Sequence, residues 1–464
     1  MKSCITGYII FAIMIIMIAL PSCKKNNETD NPLSLSNQWI LDSMKVYYYW
    51  NSELPGKPAS ALSPTSFFKS LLNPADRFSF IDSPDETRTE YSSFAWYGFE
   101  YALIQIPSMP NQLIGTITLV VPGGPADRQG LKRGDMFTSV NGTDITLGTA
   151  SSIKQTLARG DGVILQLSTL HNNTLTPSIK VKIYYARFAE PAVYKTRIFS
   201  NGTIKVGYIF YNWFDGRQDY DVLDSLNKLK NEGVSKLIID LRYNPGGDVS
   251  SAAKIAATVT PTTANQLFAI YQANNNGGRL PKTFNDLITE NSFTPQDFNE
   301  LTARRINLQS VIILTTGSTA SAAELLVNNL KPFVTVTQIG SKSMGKDMAS
   351  FAISDLREPK LVNLTMHPLI FKLYNAKGMG DYANGLPPDY LVDEFSTLPL
   401  LPFGDPNDPL LKKALTITGI QPEASLTKTK TTKTLAAPYA TTVVIAKRNL
   451  PMLVKKPSKF KNAH

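Results

Sequence analysis

Apolar and polar residues alternate along this chain in three successive rhythms, and each change of rhythm marks a unit. Over 36–93, Trp39, Ile40, Met44, Tyr47 and Tyr48 recur at helical spacing. Ser63-Pro64 then supplies an N-cap and first-turn pair ahead of Phe67, Phe68, Leu71 and Leu72, so a small helical domain is expected there. Over 94–187 the pattern changes to short β runs. Residues 117–121 are mostly apolar, turns follow at Pro122-Gly123-Gly124-Pro125 and around Gly130 to Asp135, and a run at 136–140 leads into Asn141-Gly142, a hairpin pair. A helix is expected at 151–158. Over 188–420, runs at 206–214, 236–241, 266–271, 310–314 and 334–339 read as strands, with helices between several of them, such as 220–232. Strands alternating with helices imply an α/β layered core. Residues 274–308, polar and Asn/Gly-rich at their start, read as a loop with a short helix.

Chemistry concentrates where one buried-strand pattern, 311–314, meets a helical one, 322–330. Ser321 stands at that strand-to-helix turn, among small residues and freshly exposed backbone amides. A serine hydroxyl attacks a carbonyl only with a base in hydrogen-bond reach and amides to hold the resulting oxyanion. Lys346 follows 25 residues later. The 236–241 run leads into Arg242-Tyr243-Asn244-Pro245-Gly246-Gly247-Asp248, where adjacent glycines can turn their N–H groups outward. Taken singly, Pro-Gly-Gly is more often an ordinary turn and a small-residue run a helix-packing site.

Together and in this order, Asp240-Leu241-Arg242 with Asn244-Pro245-Gly246-Gly247, the segment Ser318 to Glu324, and Gly345-Lys346 resemble the carboxy-terminal processing (tail-specific) serine protease family. The resemblance implies a multidomain α/β protein with a crotonase- or Clp-protease-like catalytic core over 188–420. It makes Ser321 the nucleophile and Lys346 the general base, with amides of Gly246 or Gly247 and of Ala322 forming the oxyanion hole. The family often carries Gln four residues after the lysine. Here that position is Ser350, whose hydroxyl is expected to orient Lys346 instead. Asp76-Arg77-Phe78-Ser79 resembles a family segment too, and its aromatic is read as core. The order GGPADRQGLKRGDMFTSVNG over 123–142 resembles a PDZ domain, which adds a peptide strand to a sheet edge. Tyr97-Gly98-Phe99-Glu100 falls where such a domain holds a terminal carboxylate, which implies peptide binding by Gly98, Phe99 and Glu100. Gly385-Leu386-Pro387-Pro388-Asp389 resembles the family's closing segment, so the likeness spans roughly 36–420.

For Lys346 to act as a base near neutrality its pKa must fall from about 10.4 to roughly 7, on the order of 4 kcal/mol, through burial. His171, His367 and His464 are too scattered to advertise a Ser-His-Asp arrangement. No His-Glu-x-x-His, P-loop or Cys/His cluster is present, so no cofactor or metal is implied. Met1-Lys2, an apolar run and Leu20-Pro21-Ser22-Cys23 resemble a bacterial lipoprotein signal over 1–22. Cleavage there would leave a lipidated Cys23 at the head of a 23–35 linker, without a cysteine for a disulfide, anchored to a membrane of the cell envelope.

The formal charge of +10 is nearly all contributed by nine basic residues over 424–464, where no acidic residue occurs. A charge so confined gives no argument for nucleic acid, and 421–464 reads as a flexible, solvated tail. Two functions remain: a lipid-anchored endopeptidase that captures unstructured protein C-termini through its PDZ domain, or a peptide-binding adaptor with a decayed site, suggested by Ser350.

Overall fold

The computed structural model describes residues 33–84, 92–105, 111–171, 174–290, 297–421, 435–436, 441–445 and 452–457. Cys23 and the expected signal lie outside them. No helix among the described residues is long and apolar enough to cross a membrane.

The main body is built on a six-stranded sheet in the order Tyr390–Leu391, Thr335–Gly340, Ser310–Thr315, Lys236–Asp240, Lys205–Tyr211, Val193–Ser200. All pairs are parallel except the last, which is antiparallel. Its central strands read as continuous apolar runs because both faces are covered. Leu237, Ile239, Val311 and Ile313 face helices Asp219–Asn231, Val249–Val259 and Ala322–Leu330. Ile238, Ile312, Leu314 and Ile339 pack instead with Leu410, Leu411, Ala414 and Leu415 of helix Pro409–Thr418. A four-stranded antiparallel sheet, Arg279–Thr283, Leu267–Gln272, Phe371–Asn375, Met348–Ala349, lies beside this core. The stretch read as a loop around 274–308 holds strand Arg279–Thr283 and two helices, Phe284–Glu290 and Phe298–Ala303. Its Phe284, Leu287 and Leu301 are buried in the main core, and that burial orders the segment despite its polar start.

Helices Leu35–Tyr47 and Pro64–Ser70 begin at Ser34 and Ser63, whose hydroxyls accept from the N–H groups of Asn37 and Ser66. Ile40, Met44, Tyr48, Phe67 and Phe68 bury into the main body's own core. Strand Phe80–Asp82 pairs with Thr365–His367. The N-terminal helical unit therefore shares a core with the body rather than standing apart.

The PDZ-like unit is a separate antiparallel sheet with its own core. Strands Phe99–Gln105, Leu113–Val120, Met136–Val140, Val163–His171 and Thr174–Ile183 follow one another, and Ile153 and Leu157 of helix Ala150–Arg159 pack on Phe99, Tyr101 and Leu103. Asn141 and Gly142 both take positive φ, 50° and 82°, and join Val140 to Thr143 as the hairpin pair predicts.

Three tail segments depart from the expectation of a solvated 421–464; in one of them Met452 is buried in the main core and Leu453 bridges to Asp248 and Ser350. Residues 435–436 pair with Thr397–Leu398, and 441–445 pair with Phe99–Gln105. The β-branched run Thr441-Thr442-Val443-Val444-Ile445 fits a strand better than the basic residues around it suggest.

Candidate active site

Three loops converge at the C-terminal ends of the parallel strands, and a buried ionic node fixes the first of them. The Arg242 guanidinium, fully buried, forks onto Asp240 at 2.8 Å and Asp408 at 2.9 Å and reaches Glu394 at 3.1 Å. Arg133 of the PDZ-like unit joins the same Glu394 at 2.6 Å. Two cations and three carboxylates so interlocked compensate one another's desolvation, whereas removal of either cation would leave buried carboxylates uncompensated. The loop after Arg242 is thus held from behind.

The second loop is laced to the first. Thr319 Oγ1 donates to the carbonyl of Leu241 at 2.8 Å, Thr316 Oγ1 donates to that of Arg242, and Ala320 N–H donates to Asn244 O at 3.0 Å. Ser321 follows at the N-cap of Ala322–Leu330 with φ 63° and ψ −123°. A non-glycine residue in that region costs about 1–3 kcal/mol and persists only where its surroundings over-determine it. Its hydroxyl, buried, stands at the capping position but makes no full hydrogen bond among the described residues.

Gly246 explains why the loops approach so closely. A Cβ there would lie 2.4 Å from Ser321 Cβ and 2.6 Å from Ser321 Oγ, and its φ of +100° excludes most side chains in any case. At Gly247 a Cβ would meet Phe214 O at 2.0 Å. The two amides differ, however. Gly246 N–H donates to Asn244 Oδ1 at 2.8 Å, whereas Gly247 N–H and Ala322 N–H have no acceptor among the described residues. Of the alternatives Gly246 and Gly247, only the second has a free donor, because Asn244 takes the first.

The third loop carries Lys346 and meets Ser321 at one carboxylate. Glu324 is completely buried, and its Oε2 accepts from Ser321 N at 2.9 Å and from Lys346 N at 2.7 Å. Its Oε1 accepts from Gly345 N at 2.6 Å and from the Ser343 hydroxyl. The backbones of both candidate catalytic residues are therefore pinned to the same oxygen. Burial pushes the Glu324 carboxyl up, and these four donors pull it back toward the charged form.

Lys346 itself is 1% exposed. Burial lowers its pKa from 10.5 to about 8, against the pull of Glu324 and Asp76, which favour the ammonium. Its Nζ lies 5.0 Å from the centre of the Phe78 ring. The neighbouring Arg77 donates to Gly345 O at 2.8 Å and Ala383 O at 2.7 Å, so the 76–79 segment read as core also walls the lysine. Leu386 N–H donates to Ser343 Oγ at 2.7 Å and Ser343 N–H to Leu386 O at 3.1 Å, which braces the base loop with the Gly385 to Asp389 segment.

Ser350 lies four residues on, buried, with its N–H on Met452 O at 2.9 Å and its carbonyl accepting from Val454 N at 3.1 Å. His367 is stacked on Phe80, and His171 lies in the PDZ-like sheet.

In the PDZ-like unit the Gly98 amide is not available to a terminal carboxylate. Gly98 N–H donates to Phe94 O at 2.9 Å as the C-cap of helix Ser93–Tyr97, so it has no proton left for a ligand. The Phe99 ring belongs to the unit's core and Glu100 is buried. The outer side of strand Phe99–Gln105 is paired with 441–445.

Sequence reasoning missed Glu324 as a working residue, along with Asn244, Ser343 and Arg77. Glu324 occupied a quoted motif, and its spacing of three from Ser321 was a capping-box signal for a carboxylate that turns back onto the serine's amide.

Family models match three stretches of the chain. Residues 205–392 match the model for peptidase family S41, 36–80 the peptidase S41 N-terminal domain, and 116–165 a PDZ domain. The chain is 26% identical over 248 residues to the carboxyl-terminal-processing protease of Picosynechococcus sp., covering 53% of this chain and 54% of that protein. It is 24% identical over 321 residues to carboxyl-terminal-processing peptidase 1, chloroplastic, of Arabidopsis thaliana, covering 69% and 60%. The matches to these two curated relatives thus span little more than half of each relative's length. Among solved structures, the putative S41 protease of Bacteroides fragilis is 29% identical, with a TM-score of 0.67, over 82% of this chain and 97% of that one. With its S41 N-terminal, PDZ and catalytic regions in the family's order, this chain belongs to peptidase family S41.

Proposed function

We propose that this chain is a serine endopeptidase in which Ser321 attacks the scissile carbonyl and Lys346 takes its proton. The observation that carries this reading is the Glu324 carboxylate, which binds the backbone N–H groups of both residues. A base with a pKa near 8 has its neutral form available in a useful fraction at mildly alkaline pH. The serine proton passes to the Lys346 amine as Oγ bonds to the carbonyl carbon, and the charge moves to the carbonyl oxygen. Gly247 N–H and Ala322 N–H, which have no acceptor among the described residues, receive that oxyanion. Collapse of the tetrahedral species expels the amine, which takes the proton from Lys346 and leaves an acyl-enzyme. Water then enters through the same base, and the acid product and free serine are regenerated. Ser350 orients Lys346 through its hydroxyl.

Substrates are unstructured protein C-termini, paired in extended form with strand Phe99–Gln105 in place of 441–445. The chain is held at a membrane of the bacterial envelope through lipidated Cys23. The test compares wild type with Ser321→Ala, Lys346→Ala and Lys346→Arg on an unfolded protein substrate. All three variants should fold and fail to cleave, the arginine because its guanidinium stays protonated. Wild-type turnover by any of them would refute the assignment.

A further inference from the structure

The 441–445 strand is the outermost strand of the PDZ-like sheet, antiparallel to Phe99–Gln105, with Thr441 opposite Gln105 and Ile445 opposite Ala102. It lies where an extended peptide would add, and its sequence runs toward the Phe99 end. Further along the chain, Leu453 N–H donates to Gly247 O at 3.1 Å, and Leu453 O accepts from Val249 N at 3.1 Å. On its other side the same segment pairs with Ser350. Leu453 therefore forms a single β-bridge on each side, to Asp248 beside the glycine loop and to Ser350 beyond Lys346. Met452 is fully buried in the main core, and Lys456 Nζ donates to Tyr47 OH at 3.0 Å.

A peptide bond delivered to Ser321 in extended form needs a backbone partner beside the oxyanion site. The Gly247 carbonyl and Val249 amide supply one, and the chain's own Leu453 already uses both.

We propose that the C-terminal segment of this chain is a tethered pseudosubstrate. Residues 441–445 fill the peptide edge of the PDZ-like unit, and 452–454 fill the extended-peptide track beside Ser321. A protein substrate enters only when the segment is displaced. The effect on turnover rests on the Ser321–Lys346 reading, whereas the occupancy is read out by binding alone.

The test uses the full chain. Leu453→Pro removes the N–H that donates to Gly247 O. A second variant, Ala102→Cys with Ile445→Cys, ties the outer strand to the sheet edge under oxidation and releases it on reduction. The probe is a fluorescein-labelled synthetic peptide of residues 441–457, alongside an unfolded protein reporter. If the closed form holds more than nine-tenths of the wild type, Leu453→Pro should bind the peptide at least about tenfold more tightly and cleave the reporter at least about tenfold faster. The oxidised double-cysteine variant should fall below wild type in both and recover on reduction. Equal peptide binding by wild type and folded Leu453→Pro overturns the proposal. If Leu453→Pro does not fold, equal binding by the oxidised and reduced double-cysteine forms overturns it. Peptide binding that changes as expected while no form cleaves the reporter supports the occupancy and refutes the peptidase reading. Ser321-dependent cleavage that is identical in all forms does the reverse.

Discussion

Replacing Lys346 by methionine should abolish turnover and make the protein more stable. The side chain is almost completely buried, and its pKa falls from 10.5 to about 8. A lysine whose folded pKa is depressed binds its proton less well folded than unfolded, so the folded state is penalised wherever the unfolded lysine is charged. The penalty is fully present below about pH 8, shrinks as pH rises toward 10.5, and vanishes above it. The gap between the two values corresponds to about 3 kcal/mol, with the attraction of Glu324 and Asp76 already included. Methionine keeps the length and apolar stem of the lysine and removes the charge. Urea unfolding at pH 7 should therefore give Lys346→Met an advantage of about 3 kcal/mol, visible as a higher midpoint at unchanged slope. Repeated near pH 10.5, the advantage should nearly disappear. A variant less stable than wild type at pH 7, or an advantage independent of pH, would refute the reasoning. It would mean that Lys346 is held as an ammonium by its carboxylates and is no base.

Glu324→Gln should lower turnover by about a hundredfold or more, because an amide cannot accept from four donors, and should cost about 1–3 kcal/mol of stability. Loss of the negative charge also lowers the Lys346 pKa further, so the acid limb of any residual pH–rate profile should move to lower pH. Gly246→Ala should abolish turnover by pushing a Cβ into the space of Ser321 Oγ, checked by kcat alongside circular dichroism. Ser350→Ala should slow turnover by about tenfold with KM unchanged if its hydroxyl orients the base.

What the sequence made legible was chemistry that is local in the chain. A strand, a turn of small residues and a helix had to surround Ser321, and helix Ala322–Leu330 lies where its apolar pattern placed it. Lys346 was legible through spacing. Partners far apart in sequence were not. Arg77 reaches Gly345 across 268 positions, and Arg242 reaches Asp408 across 166, pairings that no local pattern announces. Gly98 misled because an aromatic-Gly-aromatic turn serves equally as a helix C-cap, and here the cap takes the amide. Charge misled at the tail, where nine basic residues drew attention away from a β-branched run whose partner strand lies over 300 residues earlier.

The most direct test of the central claim is the pH dependence of Ser321 acylation. Full-length protein would be treated with a fluorophosphonate, the rate of labelling followed from pH 6 to 10, and the modified residue located by mass spectrometry. The Ser321–Lys346 account predicts a single label on Ser321, a rate that rises with an apparent pKa near 8, and no labelling of Lys346→Met. Labelling at another serine, or a Lys346→Met variant that reacts at the wild-type rate, would contradict it.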